Sequence, residues 1–241
     1  MPDWPTSYGY NMFFFSIRLW KGGIFFEHLH RLFASRVGLL ATVFMVWLWM
    51  KESRSWLRWL GVAAFIGVVL QGVLGGLRVV WLKNELGIFH AGLAQSFLLL
   101  VSALALFTSR WWQRFTADAN SFQIPTPLRR LFLLTTLFIF AQLMIAETTR
   151  HQHAGLAIPD FPLAYGKLWP ETSAAAVAHY NQQRIEVEAA NPITAFQIDL
   201  QMIHRLVAFT ILGLVSFAAW SAWRRLGGRH PAALWATSGR A

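Results

Sequence analysis

The sequence predicts an all-α, polytopic membrane protein: a transmembrane helix bundle of duplicated four-helix halves, with about five of an expected eight spans present. Three observations carry this. The chain is 56% hydrophobic and only 13% charged. Five apolar runs are each long enough to cross roughly 30 Å of hydrocarbon. One polar motif occurs twice at equivalent places in the chain.

The first unit, 1–115, opens with a turn-forming stretch, Pro2-Asp3-Trp4-Pro5-Thr6-Ser7-Tyr8-Gly9, and continues through apolar runs at about 29–50, 57–81 and 86–109. A polar, proline-containing link, 116–127, leads to the second unit, 128–241. That unit holds a run at 129–149, a second loop (Pro159-Asp160-Phe161-Pro162-Leu163-Ala164-Tyr165-Gly166), a polar stretch from Glu171 to Gln197, and a last run at 198–223. Each loop precedes a matched motif at the mouth of an apolar run: Glu27-x-x-His30-Arg31 first, then Gln201-x-x-His204-Arg205. The loops align with an offset of 157 and the histidines with 174, so the extra 17 residues fall between them, where insertions are tolerated. By this register one helix before the first loop and two after the last run are missing from a complete duplication. The chain is expected to be an internal piece of an eight-helix design.

The net charge of +10 is distributed by topology. Lys51, Arg54, Arg58, Arg110, Arg114, Arg129, Arg130, Arg224, Arg225, Arg229 and Arg240 fall in three segments whose only acids are Glu52 and Asp118. The alternating loops carry Asp3, Glu85, Asp160, Glu171, Glu186 and Glu188. The positive-inside rule then puts both Pro-Asp loops outside the cytoplasm, and the basic residues report orientation rather than a nucleic-acid partner. The first 27 residues do not read as a cleavable signal peptide. No cysteine is present, which excludes disulfides, thiolate metal ligands and cysteine nucleophiles.

His30 and His90 each lie about one turn inside helices that start on the same side. Two imidazoles at one depth on facing helices are what a six-coordinate haem iron requires. His204 takes the place of His30 in the second half, where the corresponding partner, by the His30–His90 spacing, is expected beyond Ala241. Taken singly, such histidines could be interfacial polar residues. Their duplication with an adjacent arginine favours ligation, and intramembrane ionisable groups default to function. Glu27 shares a face with His30. It is either a first-turn acid favoured by the helix dipole, or a proton acceptor and stabiliser of positive charge at a reacting carbon. Gln201 can do neither, so the halves are expected to differ in task. Arg31, Arg205, Arg78 and Arg150, near the same helix ends, either snorkel or pair with haem propionates. Gln71-Gly72-x-x-Gly75-Gly76 offers small residues for close approach of a helix or porphyrin. His28 points about 160° away from His30 and reads as interfacial. His151 and His153 read as loop residues with access to a porphyrin edge, and His179 and His230 as loop residues.

With Pro2-Asp3-Trp4-Pro5, Tyr8-Gly9, Glu27-x-x-His30-Arg31, His90, Ala154-Gly155-Leu156-Ala157-Ile158-Pro159-Asp160-Phe161-Pro162 and Gln201-x-x-His204-Arg205 in view, the chain resembles the haem A synthases of bacterial and mitochondrial inner membranes over essentially its whole length. The resemblance implies an eight-helix fold in the bacterial plasma membrane, and a haem-modifying oxidoreductase that converts the C8 methyl of haem O to the formyl of haem A by successive hydroxylations with water-derived oxygen. It implies Glu27 as the catalytic group, and substrate haem O between His30 and His90. It further implies haem b held by His204 and a histidine outside this chain. Expected partners are the lipid bilayer, haem O synthase and an electron acceptor, with a homo-oligomer among the expectations and no nucleic acid. The cysteine pair of some family members is absent. Two other classes compete. A b-type cytochrome that only relays electrons needs the histidines but not Glu27. A transporter would also explain duplicated halves, but these run in one orientation and show no broken mid-membrane helix.

Overall fold

A computed structural model describes residues 3–117, 124–184 and 192–226, and these are helical with no strand among them. The chain divides between 121 and 122 into two compact units. The first contains α1 (Gly23–Lys51), α2 (Ser55–Trp81), α3 (Asn84–Thr108) and the short α4 (Arg110–Ala117). The second contains α5 (Thr126–His151), α6 (Ala174–Gln183) and α7 (Ala195–Leu226). Helices α1, α2, α3, α5 and α7 are each long and apolar enough to span a membrane. Only 6–17% of their most apolar windows is buried within the protein, which leaves most of their apolar surface open to a non-aqueous environment.

Local chemistry sets the helix ends. α1 starts after Gly22, whose positive φ of 55° suits a residue without a Cβ. Between α1 and α2 only three residues turn the chain. There the Arg54 fork grips the Glu52 carboxylate at 2.8 and 2.9 Å and holds that carboxyl at about 2. α5 begins with proline in its first turn, where no N–H is required. α7 opens on a capping box: the Gln197 amide N–H donates to the Thr194 hydroxyl at 3.3 Å, and Thr194 N–H donates to Gln197 Oε1 at 2.9 Å.

All five expected spans prove longer at their starts than hydropathy alone suggested. α1 begins six residues before 29 because Glu27, His28 and His30 interrupt the apolar run without interrupting the helix. The expected polar link at 116–127 is entered by the ends of α4 and α5. The polar stretch after the second loop contains a helix, α6, capped by the Ser173 hydroxyl.

In the first unit α2 packs against both α1 and α3. At the end remote from the motif, Leu48, Leu57, Ala64 and Leu104 form a buried cluster, with Gly61 letting Leu48 lie against α2. In the second unit α5 packs on α7. Above that pair, Ala157, Ile158, Ala164, Tyr180, Ile193, Ile198 and Met202 bury one another, fixing the second loop and α6 on the start of α7. Tyr165 and Tyr180 stack there at 3.7 Å, and Asn181 bonds both the N–H and the C=O of Ile193.

Candidate functional site

The two Pro-Asp loops fold alike because their aspartates do the same work. Asp3 accepts hydrogen bonds from Tyr8 N–H at 2.8 Å, Gly9 N–H at 2.9 Å and the Thr6 hydroxyl at 2.6 Å. Asp160 accepts from Tyr165 N–H at 2.7 Å and Gly166 N–H at 2.9 Å. The glycines sit at φ values of 77° and 75°, a region that favours residues without a Cβ. The Gly9 N–H first, then the Thr6 hydroxyl, bring the Asp3 carboxyl down to about 2. At Asp160 burial pushes upward, but the Gly166 and Tyr165 N–H groups and nearby Arg205 outweigh it, and the carboxyl is lowered.

Each motif arginine clamps its loop. Arg31 Nη1 donates to Thr6 O at 2.8 Å and Nη2 to Asp3 O at 3.0 Å. Arg205 repeats this on Leu163 O and Asp160 O, both at 2.9 Å. The pairs Asp3/Asp160 and Thr6/Leu163 differ by the 157 offset, and Arg31/Arg205 by 174, so the duplication is three-dimensional. Both arginines, for which sequence left open snorkelling or pairing with haem propionates, thus direct these donors to loop carbonyls.

The first motif position separates the halves. Glu27 Oε1 receives Arg31 Nη2 at 2.9 Å, so one guanidinium joins the loop to the carboxylate. Glu27 is the fifth residue of α1, beyond the first-turn position that sequence left open. Gln201 instead donates to Gly155 O at 3.2 Å, and its buried Oε1 has no hydrogen-bond partner.

The structure brings His30, His90 and Arg78 together. His30 lies seven residues past the start of α1 and His90 six past the start of α3, so both stand about 10 Å along their helices. His90 is close enough to His30 and Arg78 for their charges to interact. Its ring rests on Gly75 of α2, where a Cβ would come within 3.1 Å of the ring carbon Cε1. Gly76 receives the Trp4 ring of the first loop, and a Cβ there would lie 2.2–2.7 Å from it. Gln71 Nε2 donates to His90 O at 2.9 Å, while its Oε1 and the His90 Nδ1 are buried without hydrogen-bond partners.

A family model for cytochrome oxidase assembly proteins, COX15-CtaA, matches residues 3–238. The chain belongs to that family. Its curated relatives include Heme A synthase of Listeria monocytogenes serotype 4a (strain HCC23), 23% identical over 201 residues, covering 82% of this chain and 58% of the relative. Heme A synthase of Geobacillus kaustophilus (strain HTA426) is 26% identical over 140 residues, covering 57% and 43%. Heme A synthase of Alkalihalophilus pseudofirmus is 25% identical over 164 residues, covering 64% and 52%. The chain thus spans a little over half the length of the curated relatives it matches. No solved structure matches it.

In the family's second half, as this chain builds it, His204 is half-buried and held by Gln142 of α5. Gln142 Nε2 lies 3.0 Å from His204 O, 3.1 Å from Nδ1 and 3.5 Å from Nε2, with Oε1 buried and without a hydrogen-bond partner. Arg150 extends from the end of α5 and pairs with Glu147 at 2.7 Å. His151 is 8% exposed, a buried helix-terminal residue rather than an aqueous loop residue, because α5 runs two residues past 149. His28 does point away from the site, but it is 1% exposed beneath Phe15 and Trp20. His179 lies on α6, and His230 lies outside the described residues.

Among the described residues no group of three or more His, Cys, Asp or Glu could hold a metal ion. A haem iron needs only two protein ligands, and its porphyrin supplies the rest. Converging His30 and His90, the glycine cradle at 75 and the orphaned His90 Nδ1 fit such a group. Trp4, Gln71 and Gln142 escaped sequence reasoning as partners. Gln71 and Gln142, each a lone side-chain amide in an apolar span, carried a signal of their own.

Proposed function

We propose that this chain is a haem A synthase that holds haem O between His30 and His90 and oxidises its C8 methyl group beside Glu27. The observation that carries the reading is the asymmetry of the two motifs. The half with a carboxylate at the first motif position is, among the described residues, the one that sets a second histidine, His90, within charge-interaction range of its motif histidine, His30. In the first hydroxylation the methyl carbon loses two electrons and a proton, water adds to the electron-poor carbon, and a second proton leaves. Repetition gives a gem-diol, which loses water to leave the formyl group. The electrons leave through the substrate ring to an acceptor.

Glu27 has two tasks in this scheme. Its carboxylate balances positive charge developing on the carbon, and it accepts the proton from the attacking water. His30 and His90 fix the ring so that the methyl meets Glu27, and alignment of this kind is worth several orders of magnitude in rate. Arg78, exposed beside His90, offers its fork to a propionate. In the second half His204 would hold a haem b, and Arg150 and Arg205, paired here with Glu147 and with loop carbonyls, would supply positive charge for its propionates. A haem b bound there supplies a one-electron relay.

The charge distribution supports a plasma-membrane protein with the Pro-Asp loops and histidines toward the outer face. Haem O synthase is the partner class that would deliver substrate. A cytochrome that only relays electrons would share the paired histidines, so the test must read product. Membranes carrying this chain and a source of haem O are expected to yield haem A on pigment extraction. The His90→Ala form should yield none. Haem A at the wild-type level from His90→Ala would refute the assignment.

A further inference from the structure

We propose that the first Pro-Asp loop is a positioning element of the reaction, with Trp4 and Arg31 as the residues that set Glu27 relative to the substrate ring. This rests on the haem A synthase reading. The loop is anchored at two points, one on α1 and one on α2. At one, the Arg31 fork, 9% exposed, binds Asp3 O, Thr6 O and the Glu27 carboxylate together. At the other, the Trp4 ring lies on Gly76, next in sequence to the Gly75 that receives His90. Between the anchors the Asp3 carboxylate ties the loop into a single rigid turn. A shift of the loop is therefore transmitted to Glu27 through one guanidinium and registered, through one indole, against the α2 turn on which the His90 ring rests.

The second half is an internal control. Its loop has the same aspartate and arginine bonds, but Gln201 turns to Gly155 O, leaving its amide outside the clamp. Its aromatic, Phe161, stacks on Phe209 of α7 at 6.4 Å and lies under Arg205 at 5.6 Å. The aspartate and arginine bonds are thus what the two loops share. The added connections to a carboxylate and to the α2 turn that receives His90 occur where chemistry is assigned.

Three variants test this in the full chain. Arg31→Lys keeps a positive partner for Glu27 but cannot hold two carbonyls as a fork. Gly76→Ala drives a methyl into the indole. Gly76→Ala with Trp4→Ala removes that clash and the indole together, and covers the case in which Gly76→Ala fails to fold. Three quantities are read: amide hydrogen exchange of residues 3–10 in the haem-free chain, the low-spin haem spectrum, and single-turnover haem O conversion per bound haem.

Arg31→Lys and the double variant should exchange residues 3–10 faster while 160–167 stay as in wild type. They should keep the low-spin spectrum and convert bound haem roughly tenfold to a hundredfold more slowly, the scale of an ångström-sized misplacement. Conversion per bound haem within twofold of wild type in both overturns the proposal, as does unchanged exchange of the loop. Loss of the low-spin spectrum in both also overturns it, because the loop is then part of the haem-binding structure. A wild-type chain that binds low-spin haem yet converts none contradicts the synthase reading instead.

Discussion

Glu27 and Gln201 differ by one atom in side-chain chemistry, and their surroundings differ accordingly. The carboxylate draws in the arginine of the next turn, whereas the amide turns to a loop carbonyl. Asp3 yields a prediction at this scale. A carboxyl held near 2 against an ordinary 3.8 contributes stability that is complete above 3.8 and is lost as pH falls through about 2. Wild-type thermal stability in detergent should therefore fall across that window by more than that of Asp3→Asn, which lacks the titrating group. Equal pH dependence of the two would contradict the hydrogen-bond assignment. Gln142→Leu should cost about 1 kcal/mol of stability by removing the amide that holds His204, measured by denaturant unfolding. The histidines, Glu27 and the repeated arginines were legible in sequence because spacing and repetition reveal them. Trp4 on Gly76 and Gln71 on His90 were not, because they depend on which faces of α1, α2 and α3 meet.

At the scale of elements, the seam at the end of α1 and α2 remote from the motif keeps the site in register. Leu57 and Leu104 are fully buried there, and Gly61 admits Leu48, whose Cδ1 would lie 2.7 Å from an added Cβ. In hydrocarbon such contacts stabilise by close packing rather than by expulsion of water. Gly61→Val should cost about 1–3 kcal/mol through overpacking, read as a lower unfolding midpoint in detergent. A midpoint equal to wild type would show that the seam tolerates the added methyls. Hydropathy located all five spans but placed every start two to six residues too late, since polar residues near the helix starts interrupt the apolar runs without interrupting the helices. α6 went unread inside a polar stretch, although its Ser173 cap and alanine run favour a helix. The Thr194-x-x-Gln197 box was a local signal for the start of α7.

At the scale of the whole molecule, two units built on one plan carry different residues at the decisive position. The proposed orientation is directly testable because the chain has no cysteine. Lys21→Cys and Lys167→Cys, on exposed positions near the two Pro-Asp loops, should react with an impermeant maleimide applied to intact cells. Ser53→Cys, in the exposed turn between α1 and α2, should react only after permeabilisation, and the reverse pattern would invert the assigned topology. The division of labour itself is tested most directly by measuring haem A output and low-spin haem content of Glu27→Gln beside Gln201→Glu. Glu27→Gln should keep its haem spectrum and make haem A roughly a hundredfold more slowly or not at all, while Gln201→Glu continues to make it. Full haem A output from Glu27→Gln would contradict the assignment of the chemistry to the first half.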